Sequence, residues 1–262
     1  MVKNNALQTI KDYMKFRMQS VNAHGLHSPF MYRLATECFY DKTKFSDYKL
    51  LKNYYKQLAQ DQRQIRVNDL GAGSKIFHSE NRKIADISKV SGSSLKEMKF
   101  LFRLSRYFQP KSVLELGTSL GKSAFSLALG NPNASIITVE GSKSVCNITK
   151  EYFEKNHIKN IELINADFDD FINGLTSLKF DFIYLDGNHR LKPTLDYFEK
   201  LLPFMHNDTV VILDDIYWSD DMKIAWNRLK EHPQVRQSID TFHYGFLFFR
   251  KEQYPEDFVI RV

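Results

Sequence analysis

The stretch Val113-Leu-Glu-Leu-Gly-Thr-Ser-Leu-Gly-Lys-Ser-Ala124 decides the fold. Val113, Leu114 and Leu116 form the apolar run of a short buried strand. Gly117 and Gly121 remove Cβ atoms where backbone bends sharply or approaches a ligand, with Thr118 and Ser119 between them. Ser123 and the small Ala124 then open a helix whose free N–H groups attract an anionic group. A strand, a glycine turn and a helix in this order form the ligand-binding unit of a doubly wound α/β sheet.

The spacing narrows the ligand. A dinucleotide fingerprint needs G-x-G-x-x-G, whereas this loop has G-x-x-x-G with a carboxylate, Glu115, two residues before its first glycine. An acid there repels a pyrophosphate and suits an ammonium. S-adenosylmethionine carries no phosphate, and its methionine end offers both an ammonium, for Glu115, and a carboxylate, for Ser123 and the helix N-terminus. At these residues the chain resembles the class I S-adenosylmethionine-dependent methyltransferases.

Downstream, the pattern is a strict strand–helix alternation. Predicted strands cover 112–116, 135–140, 161–165, 180–186 and 209–214, with helices over about 121–129, 143–155, 168–178, 192–204 and 220–232. Two closing strands, near Gln237–Phe242 and Gly245–Arg250, read as a tight hairpin. The expectation is a doubly wound α/β sheet of seven strands, Rossmann-like, in which the resemblance makes the hairpin supply an antiparallel edge strand. Ligands of such sheets sit at the carboxyl ends of the strands. Glu140 ends the second strand and is placed to accept from both ribose hydroxyls, with Gly141 keeping backbone away from the sugar. Asp167 and Phe168 follow the third strand, where the resemblance places adenine; Asp167 also reads as a helix N-cap.

The fourth strand ends in Asp186-Gly-Asn-His-Arg190 and the fifth in Asp214-Asp215. Neighbouring strand ends lie about 5 Å apart, so three carboxylates converge. Like charges at that range raise one another's pKa, and a hard divalent cation, magnesium, calcium or manganese, would relieve the conflict. The trio is similar to that of metal-dependent O-methyltransferases of the catechol and caffeoyl-CoA type, which carry Asp-Asn where this chain has Asp214-Asp215. Its Asp-Gly-x-His segment is more similar to the macrolide-sugar O-methyltransferases. Where the catechol group has a lysine base, three residues after the first aspartate, this chain has His189. An imidazole of pKa about 6.5 can take a proton from a hydroxyl at neutral pH. The resemblance thus implies a small hydroxylated substrate, Asp186, Asp214 and Asp215 as metal ligands, and His189 with Asp186 as catalytic residues. A tRNA hydroxyuridine acceptor and a non-catalytic module of the same fold stand as alternatives.

Residues 1–92 read as an N-terminal helical extension before a catalytic domain over 93–262. Leu7, Ile10, Met14 and Phe16 mark a first amphipathic helix, Leu34, Ala35 and Phe39 a second, and Tyr48, Leu51, Tyr55 and Leu58 a third. His24 and His27 lack acidic or cysteine neighbours and fall in a helix-connecting loop with Gly25 and Pro29. Val67-Asn-Asp-Leu-Gly-Ala-Gly-Ser74 imitates a second cofactor loop, but its polar upstream neighbours argue for an ordered loop near the site. Of 262 residues 43% are apolar, enough for a full α/β core. The net charge of +6 is dispersed rather than gathered into a nucleic-acid footprint. Cys38 and Cys146 lack metal spacing and read as reduced core thiols of a cytoplasmic protein. No run approaches the ~18 apolar residues of a membrane span, so no membrane partner is expected. The resemblance leaves a homodimer through the N-terminal helices open.

Overall fold

Helical periodicity in the first sixty residues and strand–helix alternation after Ser112 are both realised in the computed structural model, which describes residues 6–67 and 79–262. The N-terminal segment contains α1 (Ala6–Gln19), α2 (Pro29–Leu34) and α3 (Tyr48–Gln60). Ser28 caps α2 by accepting from Met31 N, with Pro29 in the first turn, and a π-helical turn over Ala35–Phe39 continues it. Phe16 of α1 is buried, but Leu7, Ile10 and Met14, expected on a core-facing stripe, are exposed.

Short antiparallel strands β1 (Gln64–Arg66) and β2 (Asn81–Lys83) precede α4 (Ile84–Val90). The polar Asp61–Arg66 stretch is therefore outside the main sheet, and the glycine loop after Val67 lies outside the described residues. Helix α5 (Leu95–Phe108) opens on a capping box, in which Ser94 and Glu97 each accept from the other's backbone N–H.

Then follow β3 (Ser112–Leu116), α6 (Lys122–Gly130), β4 (Ser135–Glu140), α7 (Lys143–Lys155), β5 (Ile161–Asn165) and α8 (Phe168–Asn173). The chain continues through β6 (Phe182–Leu185), α9 (Leu191–Leu201), β7 (Val210–Leu213), α10 (Asp220–Lys230), β8 (Gln237–Asp240), β9 (Gly245–Phe248) and β10 (Glu256–Val259). The sheet order is β10-β8-β9-β7-β6-β3-β4-β5. Strands β3 to β7 run parallel, and β9 enters antiparallel between β7 and β8.

One expectation is corrected. Among the described residues the sheet has eight strands, and the terminal hairpin is not its edge, because β10 pairs parallel with β8 outside it. Val21 then bridges Ile260, tying the N-terminal segment to that edge.

Strand alternation distributes the side chains to two cores. Val113, Phe182, Ile212 and Phe246 pack with Phe30, Met31, Leu34 and Phe39 from the N-terminal helices and with Leu101 and Leu104 of α5. Leu114, Ile183, Val211 and Leu247 face the opposite layer, with Phe198 of α9 and Trp226 of α10. A third cluster joins Leu51 and Tyr54 of α3 to Phe125 and Phe153. Helices α6 and α7 thus rest on α3.

Candidate active site

The carboxyl ends of β3, β4, β6 and β7 carry the polar residues. Leu116 is in register with Val139 and Leu185, and Leu185 with Leu213. The residues following them are therefore neighbours. Gly117, at φ 109°, donates to Val139 O at 3.0 Å, and Asp186 N donates to Leu116 O at 2.9 Å.

Glu115 is fully buried on β3, opposite Thr138 on β4. The Thr138 hydroxyl bonds to Glu115 Oε2 and lies 2.5 Å from the Thr118 hydroxyl. Among the described residues Glu115 Oε1 has no hydrogen-bond partner. Burial raises the carboxyl from 4.5 to about 7, against the Ser123 and Thr138 hydroxyls, which favour its ionised form. Glu140 is held by two backbone donors, Ser119 N to Oε2 at 3.0 Å and Ser142 N to Oε1 at 2.8 Å. Asn165 Nδ2 fixes the adjoining backbone through Glu140 O at 2.8 Å and Gly141 O at 3.0 Å.

Helix α6 starts at Gly121 without a side-chain cap. Gly121 also admits α7, since a Cβ there would stand 2.5 Å from the Phe153 ring. Asp167 is exposed and caps α8, accepting from Asp169 N at 2.8 Å. The Phe168 ring lies over Gly187 and meets Tyr197 edge-on at 5.7 Å.

At the other half of the site, Asp186, Asp214 and Asp215 follow β6 and β7, close enough for their charges to act on one another. Asp186 is raised well above the usual carboxylate range by burial and then by the charges of Asp214 and Asp215. Burial and Asp215 raise Asp214 likewise. Asp214 Oδ2 accepts from the Tyr184 hydroxyl at 2.9 Å and Oδ1 from Asp215 N at 2.9 Å. His189 Nε2 lies 3.7 Å from Asp186 Oδ1, and burial lowers its pKa while Asp215 opposes the shift. Both turns store backbone strain, with Asn188 at φ 53° and Asp215 at φ 54°.

Among the described residues no group of three or more His, Cys, Asp or Glu side chains is placed to hold a metal ion.

The flanking aromatics divide. Tyr217 stacks on Phe242 at 4.7 Å and donates to Asp240 at 2.7 Å, so it seals the core. Trp218 is 37% exposed with its ring 6.3 Å from that of His189. Tyr244 is buried against Phe100, whereas His243 is exposed.

Three features escaped the sequence reading. The Thr118–Thr138–Glu115 contact was signalled only by a hydroxyl inside the apolar run Ile136-Ile-Thr-Val139. Tyr184, buried in β6, reaches Asp214 from a strand that reads as purely structural. Lys122 is buried with its ammonium on Ser88 O, 5.0 Å from the Tyr55 ring centre.

Known proteins agree with this architecture. Residues 114–216 match the family described as a methyltransferase domain. The tapetum-specific methyltransferase 1 of Arabidopsis thaliana is 28% identical over 160 residues, covering 58% of this chain and 67% of the relative. The Podospora anserina methyltransferase PaMTH1, solved with S-adenosylhomocysteine, superposes with a TM-score of 0.61 at 16% identity, over 86% of this chain and 97% of that one. The O-methyltransferase TomG of Streptomyces achromogenes, solved with S-adenosylmethionine, gives 0.53 at 18% identity, over 61% and 82%.

Proposed function

We propose that this chain, which carries a class I S-adenosylmethionine-dependent methyltransferase domain, methylates a hydroxyl group of a small molecule and uses His189 as the proton acceptor. The observation that carries this reading is the position of His189: 3.7 Å from Asp186, beside Trp218, at the end of a strand adjoining the glycine turn.

The residues fit the cofactor. A buried carboxylate oxygen of Glu115 has no hydrogen-bond partner among the described residues and suits an ammonium. Gly117, Thr118, Ser119, Gly121 and Ser123 give an uncapped helix start for a carboxylate. Glu140 with Gly141 would take the ribose, and Asp167 with Phe168 the adenine. When bound, S-adenosylmethionine supplies an electrophilic methyl group.

The protein's own part is positioning and proton handling. Burial keeps the His189 imidazole neutral at pH 7, so Nε2 can accept the hydroxyl proton. Asp215 favours the imidazolium that results, and Asp186 Oδ1 lies 3.7 Å from Nε2. Trp218 supplies an apolar wall for a planar or sugar substrate.

Three carboxylates also suit magnesium, calcium or manganese by donor chemistry. As folded, no group of three or more His, Cys, Asp or Glu side chains among the described residues is placed to hold such an ion.

The test is formation of S-adenosylhomocysteine with a panel of catechols and hydroxylated sugars, and with tRNA as the competing acceptor. His189→Ala should lower kcat by about 10²–10⁴-fold while leaving S-adenosylmethionine affinity within twofold of wild type. Undiminished turnover in that variant, or transfer only to tRNA, rejects the reading.

A further inference from the structure

Helix α1 is amphipathic in an unusual sense, because it turns its longer apolar stripe outward. Its inner face is anchored to the body: Phe16 packs on Phe242 at 5.5 Å, Tyr13 meets the same ring at 5.0 Å, and Asp12 accepts from Lys223 at 2.9 Å. These contacts fix the rotation of the helix. On the opposite side Leu7, Ile10, Met14 and Met18 are 67%, 59%, 57% and 78% exposed. At about 100° per residue these four fall within an arc of roughly 80°. Lys11 and Lys15 flank the arc on one side and Arg17 on the other, all exposed and without an ion-pair partner among the described residues.

We infer that α1 is a docking surface for an anionic lipid membrane, lying in the headgroup plane with Leu7, Ile10, Met14 and Met18 toward the acyl boundary. An exposed aliphatic stripe between lysines and arginine is what such an interface binds, by apolar burial and by attraction to acidic headgroups. No described helix is long and apolar enough to cross a membrane, and surface docking requires none.

Charge decides between the occupants. A second copy would set Lys11, Lys15 and Arg17 against the same three cations, because Asp12, the one acid of α1, is turned to Lys223. A nucleic acid would satisfy the cations but gains nothing from four aliphatic side chains that cannot stack. An acidic lipid surface answers both features. The ring contacts Tyr13–Phe242–Tyr217 place the helix beside the site wall that carries Trp218.

The experiment is vesicle flotation with the full chain, comparing phosphatidylcholine alone with vesicles about one third phosphatidylserine. Wild type should float with the anionic vesicles, and high salt should weaken the binding. Ile10→Glu and the pair Lys11→Glu/Lys15→Glu should each lower the partition coefficient at least about tenfold. Far-UV circular dichroism and melting temperature, unmoved by these exposed substitutions, separate lost docking from lost folding. Failure of wild type to float, or equal flotation on neutral vesicles, overturns the inference. A solution dimer that Ile10→Glu or Met14→Glu splits, with no vesicle binding, overturns it in favour of a second copy.

Discussion

Gly117 lies against the backbone of Asp186: a Cβ on it would stand 2.0 Å from the Asp186 carbonyl oxygen. Its φ of 109° is also closed to ordinary side chains. One residue thereby lets the glycine turn after β3 touch the carboxylate turn after β6. Gly117→Ala should cost about 3 kcal/mol or more, lowering the melting temperature by roughly 6–12 °C in a chain of this size. Gly174→Ala is the control, since its Cβ would meet nothing closer than 3.4 Å. Equal melting of the two variants would show that the contact relaxes at little cost.

Glu115 predicts a pH signature. Its carboxyl titrates near 7 in the fold against 4.5 ordinarily. Between those values the folded chain holds a proton that the unfolded chain has lost. Stability from this group therefore falls as pH rises from 4.5 to 7, by on the order of 3 kcal/mol, and is level above. An ammonium reaching Oε1 favours the ionised form. S-adenosylmethionine should then bind more tightly as pH rises from 5 towards 7, releasing a proton. Calorimetry in two buffers of different ionisation enthalpy measures that release, and equal heats in both would exclude Glu115 from the ammonium site.

The sequence made the parallel strands readable because buried strands are nearly continuous apolar runs, as in Phe182–Leu185 and Val210–Leu213. Asp186, Asp214 and Glu140 were readable as strand-end residues because each follows directly on an apolar run. β10 was hidden: Glu256 and Asp257 are exposed and only Phe258 is buried, so four residues at an edge carry almost no pattern. The facing of α1 was hidden for another reason. Periodicity finds a stripe but cannot say on which side the protein lies, and Tyr13, Phe16 and Asp12 decide that through residues more than two hundred positions away. The Glu115–Thr138 pairing needed the register of two strands.

Lys122 carries the reverse linkage. Burial lowers its ammonium from 10.5 to about 8, with the nearby charge of Glu97 opposing the shift. Its acceptors are main-chain carbonyls, Ser88 O and, at 3.5 Å, Ser91 O. From pH 8 to 10.5 the unfolded chain holds the proton that the folded chain has lost, so stability should rise with pH across that window. Lys122→Met should abolish this rise and match or exceed wild-type stability at pH 7. Thermal melts at half-unit pH steps check both, and a variant that still gains stability across the window would assign the linkage elsewhere.

Asp214 shows a site held against its own charge. Its side chain keeps two hydrogen bonds, to Tyr184 and to Asp215 N, yet shares buried space with Asp186 and Asp215. Asn at this position retains an acceptor for Tyr184 and removes one of the three charges. In chelator, Asp214→Asn should therefore melt at a higher temperature than wild type. Melting curves of the two proteins in chelator check the prediction. A variant less stable than wild type in chelator would mean that the carboxylate contributes more through its hydrogen bonds than it costs through repulsion.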